Sequence, residues 1–289
     1  MTRIDTHQHL AFKDKFSYPW MNDEPPLDED RFYPSDYWEA AEGCSIGGTI
    51  FMENDVAEES GMAEAAHVCR LAGDSSNRIL GVIASARPER EGFAAYLDRI
   101  QHERLVGVRR ILHVQPDQLS KSVLFRDNLR QLATRDLTFD LCVLQRQLEV
   151  GLELVRSCPD TRFILDHCGV PAISDNDAPN GDGWKDWLEK VRRIAECSNA
   201  HCKISGIIVY ASAEQRTVEG LRPYVEAVIE AFGWERVVWG GDWPVCTLGG
   251  SLAGWCGIID GILSGESGDN RAKLFHRNAS RIYGVPEPG

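Results

Sequence analysis

The sequence lacks any apolar run approaching the roughly 20 residues that cross a bilayer as a helix. Residues 1–20 carry Arg3, Asp5, Lys13, Asp14 and Lys15 with no apolar stretch, so no secretory leader is read there. Basic excess is missing as well. Lys and Arg number 31 against 44 Asp and Glu, a net charge of −13. That balance argues against nucleic acid, whose phosphates demand a basic footprint, and against an anionic membrane surface. A small anionic substrate stays admissible, because a local Arg/Lys cluster overrides the global field. Nine cysteines run from Cys44 to Cys256 without one C-x-x-C pair or a Cys-His metal spacing. Most, including Cys142, Cys158 and Cys202, lie in apolar stretches and read as small hydrophobes of a reducing compartment. A cytoplasmic location is expected. No Gly-x-Gly-x-x-Gly follows the first strand and no Walker-type loop is present, which weakens an open doubly wound sheet. Internal repeats, low-complexity tracts and linkers are missing too, so residues 1–289 are expected to form one domain.

What the chain does contain is alternation. Strands are expected at Arg3–His7, Gly47–Glu53, Ile79–Ser85, Val106–His113, Leu137–Val143, Arg162–His167, His201–Ser205 and Arg236–Gly241. Between them, Ala57–Gly73, Glu89–Glu103, Val123–Arg135, Gln147–Ser157, Trp184–Ser198 and Glu214–Phe232 place apolar residues at helical spacing, and Asn270–Tyr283 reads as a closing helix. Eight strand–helix units predict a parallel sheet closed into a (β/α)8 TIM barrel. Two connections are long. Residues 10–36 hold Phe12, Phe16, Tyr18 and Trp20, and residues 169–183 hold Asp175, Asn176, Asp177 and Gly181. Both follow strands, and both are expected to act as lid-like loops on the face where barrel active sites lie.

The run Asp5-Thr6-His7-Gln8-His9 is the most informative feature. Residues two apart on a strand share a face, so His7 and His9 can converge on one water, metal or substrate. Other strands end on polar groups as well: Glu53, Arg109 with His113 nearby, Asp140, Asp166-His167, Lys203 with Ser205, and Asp242-Trp243. Buried charges are costly unless paired. Ionisable residues at so many matching strand ends are explained by one shared polar pocket. Asp166 is open between capping a loop and joining the site, and Asp140 between pairing with Arg109 and binding substrate. Arg110 alternates away from Arg109 and is expected to face the helices.

These stretches resemble the amidohydrolase superfamily, more narrowly its amidohydrolase-related branch of lactone hydrolases, which includes sugar-lactone hydrolases and pyrone-dicarboxylate lactonases. The resemblance rests on Asp5-Thr6-His7-Gln8-His9, Gly107-Val108-Arg109, Phe139-Asp140-Leu141, Leu165-Asp166-His167-Cys168-Gly169, Lys203-Ile204-Ser205-Gly206, Gly241-Asp242-Trp243-Pro244 and Asn278-Ala279, in order along nearly the whole chain. It implies a distorted barrel, Asp242 as general base, and His7, His9 and His167 lining the site. Metal-dependent members carry a bridging Lys or Glu on strand four and a His on strand five, where this chain has Arg109 and Asp140. A guanidinium repels a divalent cation and a lost imidazole removes a ligand, so a two-metal site is not expected. The geometry still admits one zinc on His7, His9 and Asp242, with His167 as a further ligand, or no metal requirement at all.

The expected reaction is opening of a neutral sugar lactone, an aldono-1,5- or 1,4-lactone of the fucono or rhamnono type, by an Asp-activated water. Glu53, Arg109, Asp140, Lys203 and Trp243 are the expected substrate contacts, since carboxylates accept from vicinal hydroxyls and an indole (Trp243, Trp184 or Trp20) covers a sugar's C–H face. The alternatives are a metal-dependent decarboxylase or another hydrolase of the same superfamily, and a non-catalytic sugar-binding protein. The small-molecule lactone is the expected partner, with homo-oligomerisation left open.

Overall fold

A computed structural model of the protein describes residues 1–29, 31–174, 179 and 181–288. Eight parallel strands form a sheet in sequence order: β1 (Arg3–Gln8), β2 (Ile46–Met52), β3 (Ile79–Ser85), β4 (Leu105–Ile111), β5 (Thr138–Cys142), β6 (Arg162–Leu165), β7 (Ala200–Ile204) and β8 (Val237–Trp239). The seam between β8 and β1 closes just past β8, through a parallel bridge from Gln8 to Trp243 and the bonds Asp242 N–H to His7 O (2.8 Å) and His9 N–H to Trp243 O (2.8 Å). The expected distorted (β/α)8 barrel is what the chain adopts. Most strands are rich in Val, Ile, Leu and Phe because a parallel strand is covered on both faces, by the barrel interior and by the outer helices, whereas β1 (Arg3–Gln8) is buried yet mostly polar.

Helices Gly61–Ala72, Phe93–Ile100, Val123–Arg130, Leu148–Ser157 and Val218–Phe232 fall inside the stretches expected from periodicity, and Asp182–Ala195 starts two residues before its expected stretch. Ser122 and Thr217 set two starts, each side chain accepting a first-turn N–H. Helix Leu252–Ile262 was not expected. It is apolar over most of its surface, so its helical stripe is faint in the sequence. The closing stretch is helical as expected, and its last segment, Asn278–Tyr283, packs against the barrel floor: Ala279, Ile282 and Tyr283 form one cluster with Ile4, Ile50, Met52, Ile83, Ile164 and Val238. Asn278 donates to Trp234 O (2.7 Å) and Val237 O (2.8 Å), tethering the start of β8.

The 10–36 connection is folded down onto the barrel. Ala11–Phe12 and Arg31–Phe32 pair as a short antiparallel ribbon, Phe12, Tyr18, Met21, Leu27 and Phe32 are buried, and Trp20 donates its indole N–H to Asn54 O (2.8 Å). In the 169–183 connection, Asp175, Asn176 and Asp177 lie outside the described residues. No helix among the described residues is long and apolar enough to cross a membrane.

Candidate active site

Strand ends deliver the polar groups, and local backbone features aim them. Asp5 is buried, and three donors satisfy its carboxylate: His7 N–H (2.9 Å), Gly241 N–H (2.7 Å) and the Tyr37 hydroxyl (2.7 Å). It therefore fixes β1 to the segment carrying Asp242. A Cβ on Gly241 would sit 2.4 Å from the Asp5 carboxylate, so only glycine allows this approach. After β6, His167, Cys168, Gly169 and Val170 take four successive left-handed conformations (φ 54°, 55°, 73° and 51°), three of them at non-glycine residues. Trp187 holds the turn by donating to Cys168 O (2.9 Å). The turn swings His167 over the barrel mouth, where its Nδ1 meets Ser205 Oγ at 2.9 Å.

The upper tier of the site holds three imidazoles and Asp242. Ring centroids of His7 and His9 lie 4.8 Å apart, and those of His7 and His167 4.6 Å. Asp242 Oδ1 stands 3.5 Å from His7 Nε2 and 3.4 Å from His9 Nε2. His9 Nδ1 faces Met52 O at 3.0 Å, and a carbonyl only accepts, so this nitrogen carries the proton. His9 Nε2 therefore turns a lone pair toward Asp242. Arg109 is clamped by Glu53, with Nε to Oε1 and Nη2 to the Glu53 carbonyl both at 2.6 Å, which leaves Nη1 3.4 Å from His7 Nε2.

The lower tier is sealed. Lys203, Asp140 and Asp166 are fully buried, with Lys203 Nζ at 2.6 Å from Asp140 Oδ1, 3.1 Å from Asp166 Oδ1 and 3.2 Å from His7 Nδ1. Tyr283 donates to Asp140 Oδ1 from below (3.2 Å). Burial pushes the Asp242 carboxyl up to about 6, the range for a base at neutral pH. Burial also holds the imidazoles neutral, His9 down to about 3 and His7 well below its ordinary value, the latter with Lys203 adding to the effect. Burial works against the ionised Asp166, yet the Lys203 ammonium, the largest of the opposing influences, keeps its pKa well below the ordinary value. Glu53 is held low by Arg109 in the same way. Four carboxylates thus face two fixed cations.

The structure brings His7, His9, His167 and Asp242 together as expected from the sequence. Asp166, left open there, sits among them. The substrate contacts expected from sequence are placed differently. Asp140 is register-paired with Arg109, yet its carboxylate turns inward to Lys203, so both Asp140 and Lys203 lie beneath the imidazoles with their polar atoms engaged. Glu53 is the clamp of Arg109, buried at 1 % exposure. Trp243 is 5 % exposed, its ring edge-on to Phe32 and Tyr37 (5.5 Å each), so it offers no open face to a sugar. Arg110 points outward to Glu89 as expected (2.8 Å). Sequence reasoning gave no separate role to Asp5, Ser205, Tyr210 or Tyr283. Asp5 carried a signal as an acid inside an otherwise buried strand, and Ser205 as a polar residue at a strand end, whereas Tyr210 and Tyr283 carried none. A cavity of about 430 Å³ opens beside His167, lined by Leu144, Gln145, Arg146, Val170 and Tyr210, with the Tyr210 ring 6.5 Å from that of His167.

The ligand atoms of His7, His9 and Asp242 all lie within 4.8 Å of one another, as do those of His7, Asp166 and His167, so both groups have the spacing of a metal cluster. Comparison with known proteins matches residues 4–285 to the family described as amidohydrolase. A protein of Sinorhizobium fredii named "Uncharacterized protein y4mH" is 27 % identical over 98 % of this chain and 98 % of its own length. A protein of Burkholderia multivorans named L-fucono-1,5-lactonase is 25 % identical over 99 % of this chain and 97 % of its own. A solved amidohydrolase of the same species, with bound zinc, has a TM-score of 0.88 at 24 % identity over 99 % of this chain and 100 % of its own, a likeness of fold.

Proposed function

This chain belongs to the amidohydrolase family, and from that premise we propose that it opens a sugar lactone to the aldonic acid, with Asp242 as the base that activates water. The full-length likeness to a protein named for fuconolactone hydrolysis supports the reaction class. The observation that carries the reading is the pairing of acceptors with donors around one point. His9 Nε2 and Asp242 Oδ1 are two acceptors 3.4 Å apart, suited to a water that gives one hydrogen to each. Arg109 Nη1 and His7 Nε2 lie at the edge of the same space and suit the carbonyl oxygen that becomes negative on attack. Water oxygen bonds to the carbonyl carbon as its proton passes to Asp242. The ring C–O bond then breaks, and the proton returns to the leaving oxygen from Asp242, directly or through His167. The excess of carboxylates favours a neutral, hydroxylated substrate over an anionic one.

His7, His9 and Asp242 have metal-cluster spacing, but as held they do not fit a divalent ion. Both nitrogens of His7 already face cationic donors, Lys203 at 3.2 Å and Arg109 at 3.4 Å, and a guanidinium so near a ligand atom opposes a second positive centre. No step above is routed through a metal. The test is proton release from a panel of aldonolactones, with and without chelator. Acid from at least one lactone, unchanged by chelation and reduced by about 10³-fold in Asp242→Asn, is expected. An Asp242→Asn enzyme within a few-fold of wild type removes the base, and loss of turnover on chelation overturns the metal-free mechanism.

A further inference from the structure

We infer that Lys203 is a positioning residue that fixes which nitrogen of His7 carries the proton, making His7 a hydrogen-bond donor toward the reacting oxygen. This rests on the lactonase reading for its catalytic consequence, and on geometry alone for the proton.

A neutral imidazole has one N–H, and His7 has two claimants for its single lone pair. Lys203 and Arg109 only donate, and each lies within hydrogen-bond range of a different nitrogen, Nδ1 and Nε2. The ring can accept from one of them. Satisfiability decides which. The Lys203 ammonium is fully buried and hydrogen-bonds two acceptors, Asp140 Oδ1 at 2.6 Å and His7 Nδ1 at 3.2 Å, while Asp166 Oδ1 stands at ion-pair distance (3.1 Å) without hydrogen-bond geometry. A proton on Nδ1 would leave one ammonium N–H, sealed from solvent at 0 % exposure, facing another N–H. Arg109 is not so constrained. Its Nε and Nη2 are spent on Glu53, and its free Nη1 has Asp166 Oδ2 at 3.7 Å and the reaction space itself as alternatives. Lys203 therefore takes Nδ1, the proton moves to Nε2, and the Nε2–H points toward Asp242 Oδ1 at 3.5 Å. Asp140, with Tyr283 beneath it, holds Lys203 in place. Burial works against the charge on Lys203, but Asp140 and Asp166 outweigh it and keep the ammonium protonated. In this arrangement His7 and Arg109 Nη1 form a pair of donors for the developing oxyanion, and His9 remains the acceptor that orients water.

The test is the ¹⁵N signature of the His7 ring in uniformly labelled protein, assigned by its disappearance in His7→Asn. Wild type should show Nε2–H. Lys203→Met should move the proton to Nδ1, toward Asp166 Oδ1, lower kcat by roughly a hundredfold as a donor is lost, and leave KM within about threefold. Because Lys203→Met strands two buried carboxylates, the double variant Lys203→Met/Asp140→Asn is measured beside it and carries the same expectation where the single variant does not fold. Nδ1–H in wild type, or Nε2–H surviving in the folded variant, overturns the inference. A shifted proton with kcat unchanged overturns its catalytic half. Should no lactone be turned over, the reading of the reaction falls while the ring signature still decides the role of Lys203.

Discussion

Glu64 offers a prediction whose size follows from its surroundings. It sits on helix Gly61–Ala72 at 1 % exposure, hydrogen-bonded to the Tyr18 hydroxyl of the 10–36 connection, and its Oε1 has no partner. Burial, with Glu53 adding repulsion, pushes its carboxyl up to about 8, while Tyr18 and Arg109 oppose the rise and Asp55 adds to it. An unfolded chain ionises the same group near 4.5. The folded state therefore binds the extra proton between these values, and stability falls as pH rises through that window and is flat above it. At about 1.4 kcal/mol per pH step, the loss across the window amounts to about 5 kcal/mol. Glu64→Gln keeps the shape but cannot ionise. Urea denaturation of wild type and variant at pH 5, 7 and 9 should show the variant gaining on wild type by several kcal/mol over that range. Taking the difference at each pH cancels groups that titrate identically in both proteins. A difference that stays constant from pH 5 to 9 would show that Glu64 is ionised in the fold and refute the reasoning.

Further expectations are open to measurement. With Asp242 at about 6 and needed as a carboxylate, kcat/KM should rise tenfold per pH step below that value and level above it; a pH-stat profile flat from 5 to 7 would contradict the assigned base. Gly206→Ala places a Cβ 2.3 Å from His167 Nδ1 and 2.9 Å from Asp242 Oδ2 at a positive φ, and should lose about a hundredfold in turnover with about 1–2 kcal/mol of stability, read by steady-state kinetics and denaturation. Trp187→Phe removes the bond to Cys168 O that braces the left-handed turn. A loss of about 1–3 kcal/mol, with kcat reduced, is expected from melting and rate measurements.

The barrel was legible because most strands are short apolar-rich runs bounded by polar residues. β3 was placed to the residue at Ile79–Ser85, and the others within two residues at either end. The convergence of His7, His9, His167 and Asp242 followed from strand ends sharing one mouth. What escaped was whatever depends on side-chain direction below that mouth. Arg109 and Asp140 look like partners on adjacent strands, yet Glu53 and Lys203 are better placed geometrically, and no pattern in the chain states that preference. The left-handed run from His167 to Val170 was equally hidden, since only one of its four residues is a glycine. Trp243 looked like a sugar platform. Its covering rings are Phe32, from the 10–36 connection, and Tyr37, from the short helix Pro34–Ala40 that leads out of it, and no periodicity reveals the course of either.

The contact between Asp5 and Gly241 joins residues 236 positions apart. A ribosome releases the two N-terminal imidazoles early and the carboxylate they face near the end of synthesis, so a growing chain carries half of its chemistry with nothing to act through. A fragment that stops before the eighth strand has neither the seam that closes the barrel nor Asp242, so on the proposed mechanism closure of the barrel and completion of the site are one event.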